Sequence, residues 1–308
     1  MSKIIDGVIG HAIGDAIGVP VEFKDRESLT YNPVVDMRVS SAGAKGTWSD
    51  DTSMELATID SYINCEKWNY KDIMTKFNSW LKDAEYTANN YVFDVGRTCL
   101  SAIRNFCKGT DPLESGLEDN WSNGNGSLMR ILPVAYYCYY KKLNKEEIYE
   151  IVKNISSLTH RNEISILGCY IYVLYVINLL QEKEKQEAYE LIKKEDYSKF
   201  SMRSLQVYRR ILEDDISTLK IYNIKSSGYV VDTLEASLWS ILTTDTYKHS
   251  ILKSVNLGED TDTIAAITGS MSGIIYGYEA IPKDWINTLQ RKDYIEDLCD
   301  KFEKVLKK

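Results

Sequence analysis

The sequence predicts an all-α protein, a single compact multi-helix orthogonal bundle over residues 1–308. Three observations carry this. Between Ile4 and Val19, apolar residues stand at 4, 5, 8, 9, 12, 13, 16 and 17, which is the spacing of a helix face and not the alternation of a strand. The chain has only five prolines and few Gly-rich turns, so long helices run without breakers. Thr52 and Glu55 have capping-box spacing, a helix-start signal. With 44% hydrophobic residues the chain can bury a large core.

The elements follow in order. The first helix carries Gly7, Gly10, Gly14 and Gly18. Each costs about 1 kcal/mol relative to Ala in a helix interior, so the helix is stable only where neighbours approach its backbone closely, and it belongs in the core. Asp15 is anomalous there. It is either a cap or ion-pair partner, or a support for ligands at a nearby site. Lys24 to Thr47 is irregular, with Asn32-Pro33 and Gly43 as breakers. Loops longer than ~15 residues are usually functional or disordered, so this one is expected to be a lid.

Helices are expected at 52–64, with Thr52 as N-cap, at 70–84 and at 94–107, with Asp94 as a cap. Trp121 to Arg130 reads as a Gly/Asn-rich turn entering a helix that runs to Tyr140. Such a turn either serves geometry alone or offers backbone N–H groups to a phosphate. Ile164 to Leu180 is apolar but contains Ser165, Gly168 and Asn178. It is at the short limit for a bilayer span and reads as a buried central helix. Residues 181–227 are charged and read as surface helices, with Tyr208-Arg209-Arg210 on a solvated face. Gly228-Tyr229-Val230-Val231 opens a helix through Trp239 to Leu242, and 284–308 closes the fold.

Composition excludes some classes. The net charge is −8 with no long basic run, so no face for nucleic acid is visible. Asp6, His11 and Asp15 interrupt the N-terminal apolar stretch, which therefore does not read as a signal peptide. Six cysteines, at 65, 99, 107, 138, 169 and 299, are scattered without a Cys-x-x-Cys pair. They are expected to be buried thiols in a reducing compartment. The expected protein is cytoplasmic and monomeric, with no membrane contact.

Chemistry concentrates in two stretches. Gly46 to Glu55 centres on Ser49-Asp50-Asp51, a hydroxyl and two adjacent carboxylates before a helix. Two carboxylates ~4 Å apart repel by roughly 4 kcal/mol at an effective dielectric of 20. Solvent relieves this on a surface, and a hard cation relieves it in a site. Leu257 to Ala266 repeats the design, with Asp260, Asp262 and Thr263 entering an apolar helix. With Glu22 the set holds five negative charges, which two divalent ions would largely neutralise. Paired metals are an established catalytic arrangement. The all-oxygen donor set argues for two Mg²⁺ or Mn²⁺ ions in a central dinuclear cleft, and against zinc. His160 taken alone is either a satisfied structural residue or a site residue.

Seven blocks, in order from residue 14 to residue 263, resemble the ADP-ribosylglycohydrolase family, which includes the dinitrogenase-reductase-activating glycohydrolases. They are Gly14-Asp15-Ala16-Ile17-Gly18 with Glu22, Trp48 to Thr52, Asp94-Val95-Gly96, Gly124 to Arg130, Leu158-Thr159-His160, Gly228 to Val231, and Gly258 to Thr263. Ser49 stands where the family commonly has Thr, and Glu259 where it commonly has Gly.

The resemblance implies a hydrolase that removes ADP-ribose from a modified protein or a small-molecule conjugate. Arginine is the favoured acceptor, ahead of serine, a nucleobase or O-acetyl-ADP-ribose. It implies metal ligation by Ser49, Asp50, Asp51, Asp260, Asp262 and Thr263. Asp94 faces the substrate with a catalytic role, and Glu22 is a ligand or a gate. It places Asn125, Gly126, Ser127 and Met129 on the diphosphate and ribose, His160 on the ribose, and Gly228 and Tyr229 along the pocket. Three rivals stand beside this reading. One is an ADP-ribose-binding module without catalysis, the second a two-metal pyrophosphatase that releases AMP, and the third a structural helical protein with solvated acids, against which the seven ordered blocks argue.

Overall fold

In the computed structural model, which describes residues 2–308, helices dominate and no strand forms among the described residues; only three isolated β-bridges occur. The helices are α1 Lys3–Gly18, α2 Arg26–Tyr31, α3 Asp50–Cys65, α4 Tyr70–Asp83, α5 Arg97–Cys107, α6 Leu132–Lys141, α7 Lys145–Ser157 and α8 Glu163–Leu180. The second half adds α9 Lys185–Lys193, α10 Met202–Val207, α11 Arg209–Glu213, α12 Val230–Leu242, α13 Tyr247–Val255, α14 Thr261–Tyr276, α15 Lys283–Thr288 and α16 Lys292–Leu306.

The glycines of α1 do what their cost requires. Gly10 meets Gly269, Gly14 meets Ala265 and Gly18 meets Asp262, so α1 and α14 run antiparallel with backbones in contact. A Cβ on Gly10 would lie 2.3 Å from the Gly269 carbonyl oxygen, and one on Gly18 would lie 2.3 Å from Asp262 Cα. The seam joins the two chain ends and brings the start of α14 to the end of α1. Thr261 donates its hydroxyl to the Gly18 carbonyl at 2.9 Å, closing that junction.

Helix α8 is the buried central helix expected from its sequence, packed by α6, α7, α9, α12 and α14. Two stretches, Lys3–Val21 and Glu163–Leu180, are long and apolar enough to cross a membrane, but 94% and 89% of their apolar windows are buried inside the fold. They serve as core helices.

Several expectations need correction. The N-cap of α3 is Ser49, not Thr52. The Thr52 backbone N–H and hydroxyl are both taken by Asp15, so the helix begins two residues earlier and places Asp50 and Asp51 in its first turn. Asp94 does not cap α5; the helix starts at Arg97, and Asp94 has φ 50°. Segment 24–47 is not a free lid. It contains α2 and is tied down by Arg26, which donates to the carbonyls of Leu257, Ile221 and Ile224. The Asn256 amide brackets Val34, and the Trp285 indole donates to Asp36.

Tyr208 is fully buried, not solvated, and donates to the Ile164 carbonyl at 2.8 Å. Arg209 and Arg210 pair with Glu213 and Glu235. All six cysteines are free thiols, but Cys107 is exposed and Cys65 half-buried.

Candidate active site

The site forms where the ends of α1, α3 and α14 meet. Its organising residue is Asp15, one turn before the end of α1. The Asp15 carboxylate accepts the Ser49 N–H at 2.9 Å, the Thr52 N–H at 3.1 Å and the Thr52 hydroxyl at 2.6 Å. These bonds satisfy N–H groups in the first turn of α3 and hold that turn in place, which is the cap role open to it from sequence.

Asp50 and Asp51 therefore project into a cleft of about 370 Å³, within the usual size of a small-molecule site. Around it stand Glu22 at the end of α1, Asp94, and Asp260 and Thr263 at the start of α14. Ser49 Oγ donates to Asp51 Oδ2 at 3.1 Å, and Thr263 Oγ1 donates to the same atom at 3.3 Å. Asp260 accepts from the Asn125 amide at 2.7 Å, which also reaches Thr233 at 2.9 Å. One carboxylate oxygen each from Glu22, Asp94 and Asp262 lies within 4.8 Å of the others.

Arg97 also lines the cleft, but no salt bridge to these carboxylates forms among the described residues, and burial dominates their electrostatics. Desolvation first, then neighbouring carboxylates, pushes Asp50, Asp51 and Asp262 well above the carboxylate range. Glu22 is pushed up to about 9 by burial and then by Asp94 and Asp260. Asp15, although equally buried, reaches only about 6, because its hydrogen bonds favour the charged form.

Within the site, three carboxylate oxygens are both buried and unpartnered: Asp51 Oδ1 and both of Asp262. An unpaired buried carboxylate is expensive unless protonated or bound to a cation. The donor set is carboxylates and hydroxyls, which suits a hard divalent cation. The residues fit such a metal on both counts.

The opposite wall is the Gly124-Asn125-Gly126 strip. A Cβ on Gly126 would lie 2.7 Å from Cys99 Sγ and 2.8 Å from His160 Cε1, so position 126 has no room for a side chain unless one of these shifts; at Gly124 the nearest atom would be 3.6 Å away. Asn125 N–H donates to the Gly228 carbonyl, and Val230 N–H donates to that of Asn123, joining the strip to the start of α12. Met129, His160 and Gly228 also line the cleft.

Two expected residues lie elsewhere. Ser127 is fully buried, with its hydroxyl beside Ser156 and Cys169. Tyr229, half-buried, packs against the core and is not among the residues lining this cleft. Glu259 is exposed and absent from the cleft wall, so it does not rim the site. Its backbone instead exchanges hydrogen bonds with Phe23 and Lys24.

The family model described as ADP-ribosylglycohydrolase matches residues 1–308. The chain belongs to the ADP-ribosylglycohydrolase family. An ADP-ribosylarginine hydrolase of Serratia proteamaculans (strain 568) is 30% identical over 308 residues, covering 98% of this chain and 79% of that protein. An ADP-ribosyl-[dinitrogen reductase] glycohydrolase of Rhodospirillum rubrum is 28% identical, covering 94% and 91%. A solved ADP-ribosylglycohydrolase-related protein complex superposes with a TM-score of 0.81 at 24% identity, covering 99% of this chain and 98% of that one, and shows the shared fold.

This ADP-ribosylglycohydrolase also has cleft residues that motif reading passed over. Phe23 and Trp121, 79% and 95% exposed, stand at the mouth. Each is next to or near a recognised block, but an exposed aromatic has no periodicity to announce it. Phe23 and Asp94, at φ 62° and 50°, are left-handed non-glycine residues, a backbone strain that tends to gather at functional sites.

Proposed function

We propose that this protein is a metal-dependent hydrolase that releases ADP-ribose from ADP-ribosyl-arginine on proteins. One observation carries the reading: in a member of this family, acidic residues from α3, α14 and the end of α1 converge with buried, unpartnered oxygens on Asp51 and Asp262. Ser49, Asp50, Asp51, Asp260, Asp262 and Thr263 would hold two Mg²⁺ or Mn²⁺ ions. Bound there, the ions would offset the carboxylate charge, bind ribose hydroxyls and acidify a water.

The chain's own residues supply the rest. The Gly124–Gly126 strip, Met129, His160 and Gly228 seat the ADP-ribosyl group. Asp94, with Glu22 beside it, takes a proton from the attacking water. The C1–N bond to the acceptor breaks through an oxocarbenium-like state, and the proton returns to the departing guanidine nitrogen. The arginine preference rests on the acidic mouth formed by Glu22 and Asp94, which suits a guanidinium's fixed charge and planar fork. The names of relatives at 30% identity agree with it. We also read the protein as a cytoplasmic monomer; six free thiols suit a reducing compartment.

The test is a side-by-side assay of two peptides, one ADP-ribosylated on arginine and one on serine, with products identified by mass spectrometry. Faster release of free ADP-ribose from the arginine peptide is expected. Faster release from the serine peptide would overturn the acceptor, and AMP as product would overturn the bond assignment. Tight ADP-ribose binding with no release from either peptide would favour a binding module or another acceptor.

A further inference from the structure

His160 is linked to a hydrogen-bond chain that leads from the cleft into the core. The chain begins at Arg130, a fully buried guanidinium with no carboxylate partner among the described residues. Arg130 Nη2 donates to the Ile155 carbonyl at 3.1 Å and to Thr159 Oγ1 at 2.8 Å. The guanidinium carbon lies 4.9 Å from the centre of the Phe77 ring. Burial lowers Arg130 only to about 10, so it remains a cation and a donor at neutral pH.

Thr159 Oγ1 in turn lies 2.9 Å from Nδ1 of His160. Thr159 is itself fully buried and has one hydroxyl proton to place. Arg130 cannot accept it. The neighbouring Cys99 sulfur is a weak acceptor, and its own proton goes to the Gly126 carbonyl at 3.8 Å. Nδ1 is the one strong acceptor in reach, so Nδ1 carries no hydrogen and Nε2 does.

Nε2 faces the cleft. A Cβ placed on Gly124 would lie 3.6 Å from it and one on Gly126 would lie 3.5 Å away, and both glycines line the cavity. No described side chain or carbonyl accepts from Nε2. Burial, and then the Arg130 charge, lowers His160 to about 3, so the ring is neutral.

We infer that Arg130 and Thr159 are positioning residues that lock His160 in its Nε2–H tautomer, giving the cleft one fixed neutral donor for a ligand oxygen. On the functional reading above, that oxygen is a ribose hydroxyl or a phosphate oxygen of the ADP-ribosyl group. The tautomer itself does not depend on that reading.

Long-range ¹H–¹⁵N correlation spectra of labelled protein separate the two tautomers. The chain has only three histidines, so the His160 signals are assigned as those lost in His160→Gln. Wild type is expected to show protonated Nε2 and bare Nδ1. Thr159→Val should lose that pattern, with kcat/KM on the modified arginine peptide falling about tenfold. Thr159→Ser, which keeps the hydroxyl, should retain both. A wild-type Nδ1–H or mixed pattern would overturn the lock, and so would an unchanged Nε2–H pattern in Thr159→Val. Where the Val variant fails to fold, Thr159→Ala takes its place, with the same outcomes. The expected wild-type pattern without any ADP-ribose release would overturn the functional reading and leave the lock standing.

Discussion

The Asp15 carboxylate holds Thr52 twice, accepting its backbone N–H at 3.1 Å and its hydroxyl at 2.6 Å. This joint, completed by the bond from Ser49 N–H at 2.9 Å, aims Asp50 and Asp51 into the cleft. Asp15→Ala strands three buried donors at a cost of ~1–3 kcal/mol each. Its melting temperature should fall by several degrees, and Mg²⁺ affinity by roughly 10–100-fold, the usual penalty for losing a support behind metal ligands. Calorimetric melting and Mg²⁺ titration check the two separately. Unchanged Mg²⁺ affinity in a folded Asp15→Ala protein would remove Asp15 from the site.

The buried carboxyls also predict how stability depends on pH. Asp50, Asp51, Asp262 and Glu22 have folded-state pKa values raised above their unfolded values, Glu22 to about 9. Between the unfolded value near ~4 and the folded one, the native state binds more protons than the unfolded chain. Stability of the metal-free protein therefore falls as pH rises through that window. His11 and His160, lowered to about 3, act in the opposite sense below their unfolded value of ~6.5. The fall should thus be clearest from about pH 6.5 to 9, and Mg²⁺ should stabilise most at its upper end. Melting curves across that range, with and without Mg²⁺, provide the check; a metal-free melting temperature that climbs with pH would contradict the burial of these charges.

Much of this was legible in the sequence, for physical reasons. The α1 glycines could be stable only against a close neighbour, and α14 is that neighbour. The paired Asp blocks needed a neutralising partner, and they converge. What was not legible depended on tertiary hydrogen bonds. Nothing local told Thr52 that Asp15, 37 positions away in the chain, would take both its donors, so the capping-box signal named the wrong residue. Asp94 had cap chemistry at nearly the right place, but a left-handed turn sets it three residues ahead of α5. Segment 24–47 looked like a lid because its anchors, Arg26 with its carbonyl partners and Asn256 with Val34, span more than 190 positions. Tyr208 sat in a charged run that hid its buried hydroxyl bond to Ile164.

Asp51→Asn and Asp262→Asn should each fold and lose at least nine-tenths of turnover, a loss of ~1.4 kcal/mol or more in barrier terms. Both residues carry unpartnered buried oxygens that a cation would fill. Neutralising either one relieves repulsion, so the metal-free variants should melt at or above the wild-type temperature. Steady-state rates with matched melting curves test this. Either variant retaining more than about a tenth of wild-type rate would remove that residue from the primary ligands.

The most direct test of the central claim is ADP-ribose release from an arginine-modified protein before and after exhaustive metal removal, with metal content confirmed by elemental analysis. Release should stop when the metal is gone and return on adding Mg²⁺ or Mn²⁺, while Zn²⁺ fails to restore it. Full release from protein verified as metal-free would contradict the account.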